Sequence, residues 1–315
     1  MKTILLTVLF FSTCIIAQAT ILRVNNNPLV SNTFTTAQDA HDAANPGDTI
    51  HLEPTILGSY GSLTVTKKIV LIGTGDFLTE NPNLQANSSP GSCDLLTLES
   101  GSEYSVISAK INNYIQVKAS HISITQSSCG GIELGDYGLG INDISITRSF
   151  TSSIYTIDSC QNVIILNNII SDYLSINSVS DGILISHNTF SNYYVTIDIF
   201  NSNFSSNIFC YGIYTFQVFN SILSNNITSD YNLPSGNNNL NGVDMSTVFL
   251  NYGFFLLDNY QLNPSYPNQN LGAYAGTMPY KAGCQPSVPA IYHLSMPAST
   301  VGNSMNITVS TKSNN

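Results

Sequence analysis

Four polar residues, Asp158, Asn177, Asp198 and Gln217, follow one another at steps of 19, 21 and 19. Thr156, Ser175, Thr196 and Thr215 keep the same steps, and Tyr173 with Tyr194 repeats the middle one. In a chain that coils with this period, such residues become vertical neighbours on one surface. Carboxylates, amides, hydroxyls and phenol rings together suit a glycan, because they offer hydrogen bonds to sugar hydroxyls and rings for the apolar sugar faces. The plainer reading is that any outward β face must be polar, and that Tyr and Thr favour strands anyway.

Catalysis on that surface has little to work with. Two coils put Asp158 and Asp198 about 10 Å apart along the axis, just beyond the window of roughly 6.5–9.5 Å that an inverting hydrolase needs. Both carboxylates read as solvated, with nothing evident to raise one pKa. A lyase acting on acidic polysaccharide needs a base next to the uronate carboxylate. Arg148 is the last arginine and no lysine falls between Lys118 and Lys281, which leaves His187 as the one candidate base of the central coils. A catalytic residue is therefore not assigned. For a metal, Glu133 and Asp136 in the glycine-rich stretch Gly130–Gly138, with Asp143 nearby, are the weak alternative for Ca²⁺; their spacing matches no known loop and a solvated turn competes with it. No other cofactor is expected. The sequons at Asn87, Asn203, Asn226 and Asn306 matter only in a glycosylating host.

Composition limits the partners. Charged residues make up 9% of the chain, hydrophobic residues 43%, and the formal net charge is −10. Such a chain repels phosphate backbones and anionic lipid, so nucleic acid and membrane surfaces are not expected partners. Lys2, the apolar run Ile4 to Ile16 and the small-x-small site Ala17-Gln18-Ala19 read as a secretory signal peptide over 1–19. Phe11-Ser12-Thr13 before Cys14 makes a poor lipobox, and no later run of about 18 apolar residues would span a bilayer. The expected location is extracellular, with periplasm or cell surface as alternatives. Five cysteines remain after cleavage, Cys93, Cys129, Cys160, Cys210 and Cys284, an odd and widely spaced set that reads as buried small apolar residues, with one disulfide left open.

The elements that would position the polar columns come from an internal repeat. Copies such as Val163-Ile-Ile165-Leu-Asn-Asn168, Ile183-Leu-Ile185-Ser-His-Asn188 and Phe204-Ser-Ser-Asn207 place polar residues at 127, 149, 168, 188, 207 and 226. A period near 20 with two or three short strands is one turn of a wide solenoid, whose parallel strands lie about 4.8 Å apart. Alternation then turns Ile, Val, Leu and Phe inward. Asn168, Asn188, Asn207 and Asn226 read as a structural ladder at a bend. Thr35 to Ala44 predicts a short helix capped by Thr, able to plug the open end of a solenoid, and Asn45-Pro46-Gly47-Asp48 closes it before a strand from Thr49. Lys68 to Gly75 reads as an early coil, Asn81–Cys93 as a projecting loop, and Phe254–Leu257 as the last strands. The segment 277–315 is extended, and would cover the far end or form a small β unit.

Two stretches carry a family resemblance. Ala37-Gln-Asp-Ala40 through Asn45-Pro-Gly-Asp-Thr-Ile50 resembles the opening segment of pectin-lyase-like right-handed β-helix proteins. Asp258-Asn-Tyr-Gln-Leu262-Asn-Pro-Ser265-Tyr-Pro267, followed by Leu271-Gly-Ala-Tyr-Ala-Gly276, resembles the closing motif of secreted bacterial members. With the coils, the resemblance covers roughly 24–276. It implies an all-β, single-stranded right-handed parallel β-helix over 20–276, with an N-terminal capping helix and an irregular end piece. The superfamily holds polysaccharide lyases and hydrolases beside many members without assigned activity, and this chain resembles the latter most. The expected function is a secreted, monomeric, non-catalytic protein that binds polysaccharide or cell-surface glycan. The alternatives are a polysaccharide lyase or glycoside hydrolase, and a purely structural protein.

Overall fold

The computed structural model describes residues 19–55, 57–192, 195–252, 259–298 and 304–313. Residues 1–18 of the signal peptide expected over 1–19, Tyr194 and Phe254–Leu257 lie outside them. The chain is a single-stranded right-handed parallel β-helix of about nine turns. Each central coil has three faces. The first face is a 10-stranded parallel sheet running from Ile21–Val24 to Ile222–Ser224. A sharp bend leads to a short second face, such as Ile169–Ile170, and a looser bend leads to the third, such as Tyr173–Ile176; the two share one 12-stranded sheet.

The sharp bend is built by two successive residues. The first adopts a left-handed conformation: Gln126, Arg148, Asn167, His187, Ser206 and Asn225 all have φ between 50° and 58°. The second is the ladder residue, fully buried at Ser127, Ser149, Asn168, Asn188, Asn207 and Asn226. Each ladder side chain accepts the backbone N–H of its counterpart one coil earlier: Asn188 Oδ1 from Asn168 N at 2.9 Å, Asn207 Oδ1 from Asn188 N at 2.8 Å, Asn226 Oδ1 from Asn207 N at 3.0 Å. The Nδ2 groups donate to the next Oδ1 and to carbonyls such as Ile165 O and Ile185 O, so no amide edge is left unmade in the core. The left-handed strain thus sits one residue before the ladder, and Arg148 or Ser206 accept it as well as Asn does.

Inside, like stacks on like. Ile107, Ile124, Ile146, Ile165, Ile185 and Phe204 form one fully buried column, and Leu96, Ile115, Ile132, Ile154, Leu174 and Ile197 another. Burying each such side chain contributes about 1.5–3 kcal/mol. The five cysteines are free and buried, and burial pushes the thiols of Cys93, Cys129 and Cys160 up to about 12.

The N-terminal end is plugged as expected. The helix Ala37–Ala43 starts where Thr36 accepts the Asp39 N–H at 3.1 Å, and it buries Ala37, Ala40 and His41. Lys67 Nζ donates to the carbonyls of His41 and Ala44, both at 3.0 Å, and Thr66 N–H donates to His41 Nε2 at 3.2 Å.

After Asn226 the rhythm shortens. Asn239 takes the next ladder place, accepting from Asn226 N at 3.0 Å. The segment from Tyr260 to Gln285 then runs back along the outside of the second face as a strap. Gly272 N–H reaches Ser206 O, Ala273 N–H reaches Thr189 Oγ1, and Asn167 Nδ2 holds Ala273 O and Ala275 O. Farther along, Gln126 Nε2 holds Gln285 O, and Asp76 N–H reaches Gly283 O. A two-stranded antiparallel hairpin, Ala290–Ser295 with Thr308–Lys312, follows and rests on the loop before Ser92 through Ala86 N–H to Ile291 O at 2.8 Å. Residues 277–298 and 304–313 therefore lie along the flank rather than over the far end.

Candidate functional site

The third face carries two outward columns. In register, one runs Thr97, Gln116, Glu133, Tyr155, Ser175, Asp198 and Gln217. The other runs Tyr114, Gly131, Ser153, Tyr173, Thr196 and Thr215. Neither column holds a lysine, arginine or histidine.

A hydrogen-bonded chain descends the first column. Thr97 Oγ1 donates to Gln116 Oε1 at 3.2 Å, Gln116 Nε2 donates to Glu133 Oε2 at 2.6 Å, and the Tyr155 hydroxyl donates to Glu133 Oε1. Both oxygens of Glu133 are thus engaged, and the carboxylate holds the phenol in place. Burial first, and then this bond, pushes the Tyr155 hydroxyl above the usual phenol range. Tyr155 and Tyr173 stack with ring centroids 5.5 Å apart and planes 22° apart. A third ring joins them because residue 131 is glycine: a Cβ there would lie 2.6 Å from Tyr114 Cε1 and 2.7 Å from Ser153 Oγ. The Tyr114 ring lies over the strand where a side chain would otherwise stand. The result is a patch of three phenol rings, one fixed carboxylate and flanking amides and hydroxyls.

The sequence-derived columns meet this register only in part. Asp198 and Gln217 are neighbours, and so are Tyr173 and Thr196. Asp158 and Asn177 are not in their column. Asp158 closes the turn after the third face, where its Oδ1 accepts from Ser159 N–H and its Oδ2 from Gly138 N–H, both at 2.6 Å. Those backbone bonds, Ser159 first, hold its carboxyl below the usual range. Asn177 lies in the corresponding turn one coil later: its Nδ2 donates to Asp158 O at 3.0 Å and its Oδ1 accepts from Ser180 at 2.7 Å. Thr156 continues the inward column of Leu134. The pairing of Asp158 with Asp198 as acid and base therefore lacks a shared surface. Asp198 stays half-buried; its Oδ1 has no hydrogen-bond partner, and burial raises its pKa.

Tyr114, Gln116 and Tyr155 escaped the sequence reading because the fixed steps fail locally. Tyr155 stands six positions after its ladder residue Ser149, whereas Asp198 stands ten after Asn188. The bend between second and third faces lengthens along the helix, and bulges interrupt the register between Thr151 and Ser153 and between Val195 and Thr196. Counting each bend separately from its ladder residue would have found the column.

The acidic trio is dispersed. Glu133 serves Tyr155, Asp136 pairs with Lys118 at 3.1 Å, and Asp143 pairs with His121 at 3.1 Å and accepts from Asn162. No group of three or more potential metal ligands occurs among the described residues. His187 takes the left-handed bend, and its ring touches Ser186 Oγ at 2.8 Å and Asn270 Oδ1 of the strap at 3.0 Å. Of the sequons, Asn226 is wholly buried in the ladder, while Asn87, Asn203 and Asn306 are exposed. No described helix is long and apolar enough to cross a membrane. The chain matches no protein-family model, no curated protein and no solved structure among those compared.

Proposed function

We propose that this β-helix is a secreted glycan-binding protein without catalytic activity, and that its ligand lies on the third face. The observation that carries this reading is the cluster of Tyr114, Tyr155 and Tyr173 around Glu133, with Tyr114 exposed and the other two rings half-buried. Ordered phenol rings give a sugar its stacking platform at little entropic cost. Glu133, Gln116, Ser175 and Gln217 supply the oxygens and amides that fix orientation. The two columns lack a cation, so the face fits a neutral polysaccharide better than a polyuronate, whose carboxylates would meet Glu133 and Asp198 unshielded. Secretion rests on the basic, apolar and small-x-small order of residues 1–19.

A panel of purified polysaccharides, with and without Ca²⁺, tests the proposal by scoring retention and cleavage together. Retention on a neutral polymer without product is expected, and Tyr155→Ala with Tyr173→Ala abolishes it while the fold persists. Release of unsaturated or reducing sugars would overturn the non-catalytic reading in favour of a lyase or hydrolase.

A further inference from the structure

The two ends of the solenoid are finished differently. At the N-terminal end the helix Ala37–Ala43 covers the core, and Arg23, Asp39, Asp42, Glu53, Lys67 and Lys68 surround it with charge. At the C-terminal end, no charged side chain occurs between Asp198 and Asp230 in a chain of net charge −10. The last third-face strand, Ile213–Phe219, pairs with Val195–Phe200 on one side only. The following coil covers its start, where Leu233 is buried and Asn232 Nδ2 donates to Ile213 O at 2.9 Å. That coil then cuts straight across to Asn239, thirteen residues after Asn226 rather than the usual nineteen. From Thr215 to Phe219 the far edge has no strand beside it among the described residues, and Phe216 and Val218, which pack on the core, stay partly exposed. Phe219, stacked on Phe200 at 4.8 Å, is 51% exposed.

We infer that this edge is a self-association surface on which a second copy of the chain docks tail to tail. Unsatisfied strand edges call for another strand, and proteins that avoid such pairing guard them with charge, proline or a bulge. None of Thr215 to Phe219 supplies a charge or a proline. The chain's own strap is not the cover, because from Gly272 at Ser206 to Gly283 at Asp76 it runs toward the opposite end. A two-fold axis perpendicular to the solenoid lays Ile213–Phe219 antiparallel to its copy. Centred on Phe216, it sets Thr215 of one chain opposite Gln217 of the other and buries both Phe216 rings. The contact involves no charged groups, so the acidic chains do not repel where they meet. At the N-terminal end the outermost strand, Ile21–Val24, carries Arg23 and is bridged by Phe34, so its edge is guarded by a charge and does not match the uncharged one, and association stops at the dimer instead of growing into a filament.

Sedimentation velocity of the purified protein over a wide concentration range tests this. A concentration-dependent dimer is expected, and Thr215→Lys with Gln217→Lys converts it to monomer by setting like charges opposite one another. Mixing that variant with Thr215→Glu/Gln217→Glu restores a dimer containing one chain of each kind, an outcome that misfolding would not give. Asp42→Lys, at the capped end, leaves the dimer intact. Wild-type protein that stays monomeric throughout, charge-swapped partners that fail to pair, or a dimer lost on Asp42→Lys overturns the inference.

Discussion

The second and third faces are made by the same coils, yet one is covered and the other bare. Outward residues of the second face run Phe150, Ile169, Thr189, Ile208 and Ile227, a column apolar but for Thr189 that a lone solenoid would leave in water. The strap buries it in a second hydrophobic cluster with Leu271, Ala273, Tyr260 and Tyr280, while Phe77 meets Phe150 edge-on at 4.9 Å. Gly272 lets the strap approach this closely: its φ is +69°, and a Cβ there would stand 2.6 Å from Ile208 Cδ1. The third face offers rings already fixed by Glu133 and by one another, surrounded by hydroxyls and amides. Uncovered apolar surface is costly, and the molecule removes it where it serves packing. On the third face Tyr114 is exposed and Tyr155 and Tyr173 are half-buried, and among the described residues nothing in the chain packs over them as the strap packs over the second face.

The largest effect is expected where the covered face is broken. Ile208→Asp buries an unpaired carboxylate beneath the strap and should lower stability by about 3 kcal/mol or more. Limited proteolysis should then cut within Tyr260–Gln285 before it cuts the coils; cutting that begins in the coils would mean that the strap adds little. Next comes the ladder. Asn188→Ala leaves Asn168 N–H and Ile165 O buried without their partner and should cost about 2–3 kcal/mol in denaturant unfolding.

The bare face should behave in the opposite way. Tyr155→Ala with Tyr173→Ala should change stability by only about 1 kcal/mol, since both rings are partly solvated, while polysaccharide retention disappears. A stability loss as large as that of Ile208→Asp would make the patch a packing feature. The smallest effect concerns Asp198, whose folded pKa lies above its unfolded one because burial disfavours the charge. Ionising it therefore costs stability above the folded pKa, and the cost fades as pH falls through that value toward the unfolded one. Asp198→Asn should raise the melting temperature slightly at neutral pH, with the gap closing in acid; a gap constant with pH would show that charge is not its source.

What was legible in the sequence follows from how local each constraint is. Asn168, Asn188, Asn207 and Asn226 announced the coils because the ladder bond fixes their spacing to 19 or 20 residues, and the helix at Ala37–Ala43 announced itself through Thr36. The outward columns were only half legible: Asp198 and Gln217 are neighbours on one and Tyr173 and Thr196 on the other, whereas Asp158 and Asn177 lie in the turns of successive coils. A bend that takes up extra residues shifts every later side chain, and no period records it. The strap was not legible as such, because Leu271–Gly276 has no repeat and its partners, Ser206, Thr189 and Asn167, lie between 66 and 108 residues earlier.

The most direct test is hydroxyl-radical footprinting of the protein with and without the polysaccharide that retains it. Protection of Tyr114, Tyr155 and Tyr173, with Tyr104 and Tyr137 unchanged, is the predicted result. Protection confined to the first face or to the strap, or rings equally reactive in both samples, would contradict a glycan site on the third face.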